Sequence, residues 1–149
     1  GEPLTIVGDG ELSTFFQNVS ENNKDVVFLG RLESSDLPKV VAESDYGILP
    51  LPDALEWRVG SPLKVMEFAS SGLKCLTTDV KGTLPFSDEC WICRASRFSP
   101  VEEWKNLVLS DILDPGRVNK EKLEARKYAE EKMTWKAALK DLISLLMED

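Results

Sequence analysis

Residues 60–72, Gly60-Ser61-Pro62-Leu63-Lys64-Val65-Met66-Glu67-Phe68-Ala69-Ser70-Ser71-Gly72, carry the side chains whose types and spacing best suit chemistry. The segment reads as a tight loop opening onto a short helix, with Ser61 as N-cap, Pro62 at the first helical position and Gly72 as the stop. The first turn of a helix leaves backbone N–H groups unpaired and carries the positive end of the helix dipole. Lys64 adds a full positive charge beside it. That combination suits an anion such as a diphosphate. Glu67 follows Lys64 by three residues, so both can share one face, one toward phosphate and the other toward sugar hydroxyls. The same residues also describe a helix start with no ligand, in which Lys64 and Glu67 form a solvated surface pair.

The elements that must position this segment follow from the pattern of apolar runs. Candidate strands fall at 4–7, 26–29, 46–49, 74–78 and 90–93, most of them bounded by Gly, Asp or Pro. Helix-length segments lie between them at 11–19, 36–43 and 62–70, with a loop at 81–88. Strand–helix–strand alternation at this spacing predicts βαβ units, a parallel sheet and helices on both of its faces. After the last strand the pattern is purely helical. Ser99-Pro100-Val101-Glu102 is a capping box that starts a helix running toward Leu113, a second spans 118–132, and Thr134 caps a third. In that third helix Ala138, Leu139, Leu142, Ile143, Leu145 and Leu146 form an apolar face. Ligands of an open parallel sheet bind beyond the carboxyl ends of the strands. The loops after Val7, Leu29 and Leu49 and the helix start at Ser61 are all expected on that edge.

Composition narrows the classes. A length of 149 residues suits one domain with a real core, and 42% hydrophobic with 30% charged residues is a globular balance. A net charge of −8 argues against nucleic acid as the main partner. No apolar run approaches the ~20 residues of a membrane span. There is no histidine, so imidazole general-base catalysis and imidazole metal ligation are excluded within the chain. Cys75, Cys90 and Cys93 have no disulfide-framework spacing and suit a reducing compartment. Cys90-Trp91-Ile92-Cys93 has the spacing of redox and zinc motifs, but it falls in an apolar run that reads as a buried strand, which favours structural thiols. Gly8-Asp9-Gly10 resembles the opening of a dinucleotide fingerprint. Ser13 stands where the third glycine belongs, however, and no acidic residue closes a strand about 20 residues later. Gly8 and Gly10 are read instead as a strand-to-helix turn.

Five segments occur in an order that resembles group 1 glycosyltransferases: Leu4-Thr5-Ile6-Val7-Gly8-Asp9-Gly10-Glu11, Val26-Val27-Phe28-Leu29-Gly30-Arg31-Leu32, Leu37-Pro38-Lys39-Val40-Val41-Ala42-Glu43-Ser44-Asp45, the stretch from Ser61 to Gly72, and Lys74-Cys75-Leu76-Thr77-Thr78-Asp79. Thr134-Trp135-Lys136 is similar to the start of the family's final helix. The match covers almost the whole chain and looks like the nucleotide-sugar-binding half of a two-domain GT-B enzyme, a Rossmann-like parallel sheet with extra C-terminal helices. The resemblance implies retaining transfer of a sugar from a nucleoside diphosphate donor, with no cofactor and no required metal. It implies that Gly30 and Arg31 border the nucleotide base, that Ser61, Pro62 and Leu63 offer the diphosphate their helix start, that Lys64 reaches a phosphate oxygen or the donor sugar, and that Glu67 holds the ribose hydroxyls. Arg58 is expected to assist Lys64. Asp45 and Asp79 are read as turn and cap residues, and Trp57 as a rim aromatic covering its loop.

Two departures from the family pattern stand out. Many members carry two glutamates seven residues apart; Glu67 matches the second, but Val59 occupies the first position, with Glu56 as the nearest substitute. The family's nucleotide half also begins with a further strand and helix bearing a basic pair, whereas this chain enters a strand just after Gly1. It therefore reads as part of a longer protein that lacks its acceptor-binding N-terminal half, and as inactive by itself. The expected location is the cytoplasm, with any membrane contact made through the absent half. Competing readings are a non-catalytic nucleotide-sugar-binding or protein-interaction domain and, with less support, a sugar-nucleotide epimerase.

Overall fold

A computed structural model describes residues 3–98 and 100–146, without the side chains of Asp141, Leu142 and Leu145. The chain divides into two compact units, residues 1–42 and 43–149. Among the described residues all strand pairing is parallel, as the βαβ alternation requires, within two sheets, β1-β2 and β3-β4-β5.

The first unit runs β1 (Leu4–Ile6), α1 (Ser13–Asn22), β2 (Val26–Phe28) and α2 (Leu37–Ala42). β1 and β2 pair from Leu4 opposite Val26 to Ile6 opposite Phe28. The Ser20 hydroxyl ties α1 to β2, donating to the Val26 carbonyl at 3.0 Å and accepting the Phe28 N–H at 3.2 Å. Gly8 has φ +140°, and its N–H donates to the Gly30 carbonyl. The Gly8-Asp9-Gly10 segment is thus a turn into α1, where the Ser13 hydroxyl exchanges hydrogen bonds with the Gly10 backbone.

The second unit contains β3 (Tyr46–Leu49), α3 (Leu55–Val59), α4 (Leu63–Ser70), β4 (Lys74–Thr78), a 3₁₀ helix (Lys81–Phe86), β5 (Ile92–Ala95), α5 (Pro100–Ile112), α6 (Pro115–Lys132), α7 (Trp135–Ala138) and α8 (Lys140–Leu146). β4 is central and every one of its residues is buried. On one face Cys75 packs with Val65 and Ala69 of α4 and with Ala125 and Ala129 of α6. On the other, Leu76 packs with Ala95 and with Trp104 of α5. Helices therefore cover both faces of this sheet. Gly47 lets α4 close on β3, because a Cβ there would lie 2.3 Å from the Phe68 ring. Gly72, at φ +70°, ends α4 in the left-handed conformation that glycine adopts without strain.

A strand buried on both faces usually reads as a continuous apolar run. β4 instead buries Lys74, Thr77 and Thr78, so each polar group needs a partner. Thr77 and Thr78 donate to the carbonyls of Leu49 (3.0 Å) and Leu51 (2.5 Å). Lys74 donates to Asp111 at 2.5 Å and pairs with Glu121. Asp111 also accepts from the Tyr46 hydroxyl at 2.7 Å and from Arg117. These charges gather at the amino end of β3 and β4, where Tyr46 and Lys74 are register partners.

Several expectations shift. The last strand lies at Ile92–Ala95, two residues beyond 90–93. Trp91 is buried against Phe86 and Tyr128, so its hydrophobicity anchors the strand entry, and Cys90 lies outside the strand and exposed. Buried thiols describe only Cys75, whose pKa is pushed up to about 12 by burial; Cys93 is half-buried. The expected loop at 81–88 contains the 3₁₀ helix. The capping-box residue Ser99 lies outside the described residues, while α5 begins at Pro100 as expected. The last apolar helix is two short ones, and of its apolar face Ala138, Leu139, Ile143 and Leu146 are exposed.

Burial raises the Asp111 carboxyl, but hydrogen bonds from Lys74, Tyr46 and Arg117 outweigh it and hold the group below the usual carboxylate range. A lowered folded pKa adds stability that is complete above the unfolded value, about pH 4, and lost as pH falls through the folded one. Asp111→Ala is expected to cost about 3 kcal/mol in urea denaturation at neutral pH, the low end for a broken buried pair because Glu121 still faces Lys74. Asp111→Asn should also lose less stability than the parent as pH falls below about 5. Identical acid profiles would remove Asp111 as the titrating group.

Candidate functional site

Because β3, β4 and β5 are parallel, their carboxyl ends share one edge. Three connections leave it: Pro50 to Pro62 after β3, Asp79 into the 3₁₀ helix after β4, and Ser96 to Phe98 after β5. α4 crosses back from this edge to the start of β4, so its N-terminus stands there, where open parallel sheets bind ligands.

The helix entrance differs in detail from the sequence expectation. Pro62 is the N-cap, not the first helical residue, and no side chain caps the helix. Ser61 lies one position further out and exposed. Among the described residues, the N–H groups of Ser61, Leu63 and Lys64 meet no acceptor. Pro62 is buried and fixes the entry, while Leu63 is 66% exposed and leaves the first turn open. Without a side-chain cap, these amides remain available to an outside acceptor.

Lys64 and Glu67 do share a face, and they are bonded to each other: Lys64 Nζ donates to Glu67 Oε2 at 2.5 Å, with both side chains more than half exposed. The solvated-pair arrangement is therefore present. Glu67 also lines a groove of about 380 Å³ between α4 and α6, with Leu63, Met66, Arg126 and Met133 among its walls.

The stretch expected as a loop around Glu56 and Arg58 is the helix α3. Glu56 is exposed in its first turn, and among the described residues its side chain has no partner. Val59, at the position where many family members carry a glutamate, is 77% exposed. Arg58 is held by an acid of the preceding loop. It makes a two-pronged bond to Asp53, Nε to Oδ1 at 2.7 Å and Nη2 to Oδ2 at 2.9 Å. Arg97 donates to the same carboxylate. Hydrogen bonding and charge from Arg58, joined by Arg97, hold Asp53 below the usual carboxylate range.

Arg94, from β5, pairs with Asp79 and donates to Thr83 at 3.0 Å. Asp79 thus serves an ion pair, as does Asp45 with Lys122 at 2.7 Å. Sequence reasoning missed Asp53, Arg94 and Arg97. Placing the last strand two residues early put Arg94 outside it and hid Arg97 from the loop that follows a strand end. Gly30 and Arg31 belong to the first unit: Gly30 has φ +63°, and Arg31 makes an exposed contact with Asp9 at 3.5 Å. Among the described residues no cluster of three or more Cys, Asp or Glu could hold a metal ion.

A family model for glycosyl transferases group 1 matches residues 2–94, well over half of the chain. This chain belongs to the group 1 glycosyltransferases. The matched region spans β1 through most of β5 and includes the α3–α4 segment. Membership assigns the transfer of sugars as the activity of the family. No match is found among curated proteins. No helix among the described residues is long and apolar enough to cross a membrane.

One contact holds the entrance in place. A Cβ on Gly82 would lie 2.4 Å from the Trp57 carbonyl oxygen and 2.8 Å from that of Gly60. The 3₁₀ helix after β4 therefore presses against the turn between α3 and α4. Gly82→Ala is expected to destabilise the protein by about 1–3 kcal/mol in urea titration, because two backbone carbonyls must move. An unchanged midpoint would show that this turn is not clamped.

Proposed function

We propose that the chain binds the nucleoside diphosphate sugar of a retaining, metal-independent glycosyltransferase. The observation that carries this reading is the open entrance of α4 at the carboxyl edge, with uncapped first-turn amides and Lys64 beside them. A diphosphate supplies the acceptor oxygens these amides lack, and the dipole and the ammonium favour its charge. When the sugar leaves, negative charge builds on the diphosphate, so the same groups stabilise the leaving group as it forms.

The Lys64–Glu67 pair divides these roles on donor binding. Lys64 exchanges a carboxylate for a phosphate oxygen, another charge-assisted contact. Glu67 is then free to accept from ribose hydroxyls, the assignment implied by its match to the family glutamate. Both side chains are exposed, so neither must leave a buried position. Gly30 and Arg31 are assigned to the base through the resemblance. Glu56 is the carboxylate nearest in sequence to Val59, and on α3 its side chain has no partner among the described residues.

The exposed Val59 and the absence of a first-position glutamate favour a second reading, a donor-binding domain without transfer activity. Calorimetric titration of the full chain with UDP-, GDP- and ADP-sugars tests the binding common to both. One donor is expected to bind, with Lys64→Ala weakening it by roughly ten- to a hundredfold, the worth of a charge-assisted contact. Glu67→Ala should weaken the nucleoside diphosphate and inorganic pyrophosphate unequally, since only the former carries ribose. Binding indifferent to both substitutions would remove the α4 entrance from the donor site.

A further inference from the structure

The Arg58–Asp53–Arg97 cluster joins the loop after β3 to the loop after β5, across the end of β4. A single guanidinium would suffice to tie Asp53 across that gap. Here two guanidiniums share one carboxylate, which leaves a unit of positive charge unbalanced within the cluster. Among the described residues neither arginine meets a second carboxylate. Glu56 is two positions from Arg58 on α3, and residues so spaced do not face each other on a helix.

Donor capacity is also in excess. A guanidinium has five N–H donors in a rigid fork that matches phosphate and carboxylate oxygens. Asp53 accepts two bonds from Arg58 and one from Arg97, so most of the donors of the pair remain unused by it. Both arginine side chains are about half exposed, while that of Asp53 is 22% exposed. The anionic member is the sheltered one, and the cations face water. Arg97 is further held by the Phe98 ring, 5.0 Å from its guanidinium carbon, which limits how far it can swing.

The cluster lies on the same edge as the α4 entrance. Arg58 precedes Ser61 by three residues, a span of at most about 11 Å even in extended chain. We infer that Arg58 and Arg97 form a two-guanidinium receptor for a phosphate oxyanion, with Asp53 as the internal counter-ion that positions them. The donor-site reading above names the phosphate as part of a nucleoside diphosphate, and the inference rests on it for that identity alone. Phosphate oxygens take the unused N–H donors, and Asp53 keeps the two forks aligned while competing for their charge.

The test is calorimetric titration of the full chain with sodium pyrophosphate at low ionic strength. The parent chain is expected to bind, and Arg97→Gln to weaken binding about tenfold, the loss of one charge-assisted contact. Arg97→Lys keeps the charge without the fork and should fall between them, which controls for folding. Asp53→Asn removes the competing carboxylate and should tighten pyrophosphate binding several-fold while lowering the melting temperature. A purely structural tie predicts lower melting temperatures with pyrophosphate affinity unchanged. Affinities of Arg97→Gln and parent within about twofold would overturn the receptor, as would a parent chain that does not bind pyrophosphate. In either case the donor-site reading still stands or falls separately, on Lys64- and Glu67-dependent binding of nucleotide sugars.

Discussion

Parallel strands that pair directly must begin on one edge and finish on the other, and most of the second unit follows from that constraint. β3, β4 and β5 send three connections from one rim, and each crossover has to return across a face of the sheet. α4 is one such crossover, so its N-terminus cannot stand anywhere but near the rim. Chain direction, more than any single side chain, brings uncapped amides, Lys64 and the arginine pair to one side of the unit.

The two ends of this sheet treat charge in opposite ways. At the amino end, Lys74 and Asp111 are almost wholly buried, and Tyr46, Arg117 and Glu121 complete their bonding. Such a cluster is costly to break and is poorly suited to an exchangeable ligand, because its buried charges already pair with one another. At the carboxyl end three cations are about half exposed: Lys64 beside Glu67, and Arg58 and Arg97 beside Asp53. Water screens these pairs, each is individually weak, and a phosphate can replace a carboxylate at little net cost. One end holds the strands together and the other keeps its cations available.

Much of the architecture was legible in the sequence because apolar runs and breakers are local signals. β3 and β4 lie where the runs at 46–49 and 74–78 place them, and Gly72 stops α4 as its position suggests. The errors have local causes too. Trp91 and Cys90 extend an apolar run that is not all strand, since the buried indole packs on Phe86 and Tyr128. α3 was hidden because Leu55-Glu56-Trp57-Arg58-Val59 is too short to show a helical period. Ser61 looked like a cap because Ser before Pro so often is one. Here the backbone turns at Pro62 instead, with φ −77° and ψ 87°.

By itself, the sequence determined the parallel α/β class, the family through five ordered motifs, and the candidates Lys64 and Glu67, since each of these depends on residue type and short spacing. Only the tertiary structure decided which charges meet. Asp53 and Arg97 are 44 residues apart and Lys74 and Asp111 are 37 apart, separations over which no local pattern carries information. Their encounters depend on strand register and on which rim each loop leaves, and those are settled when the sheet assembles.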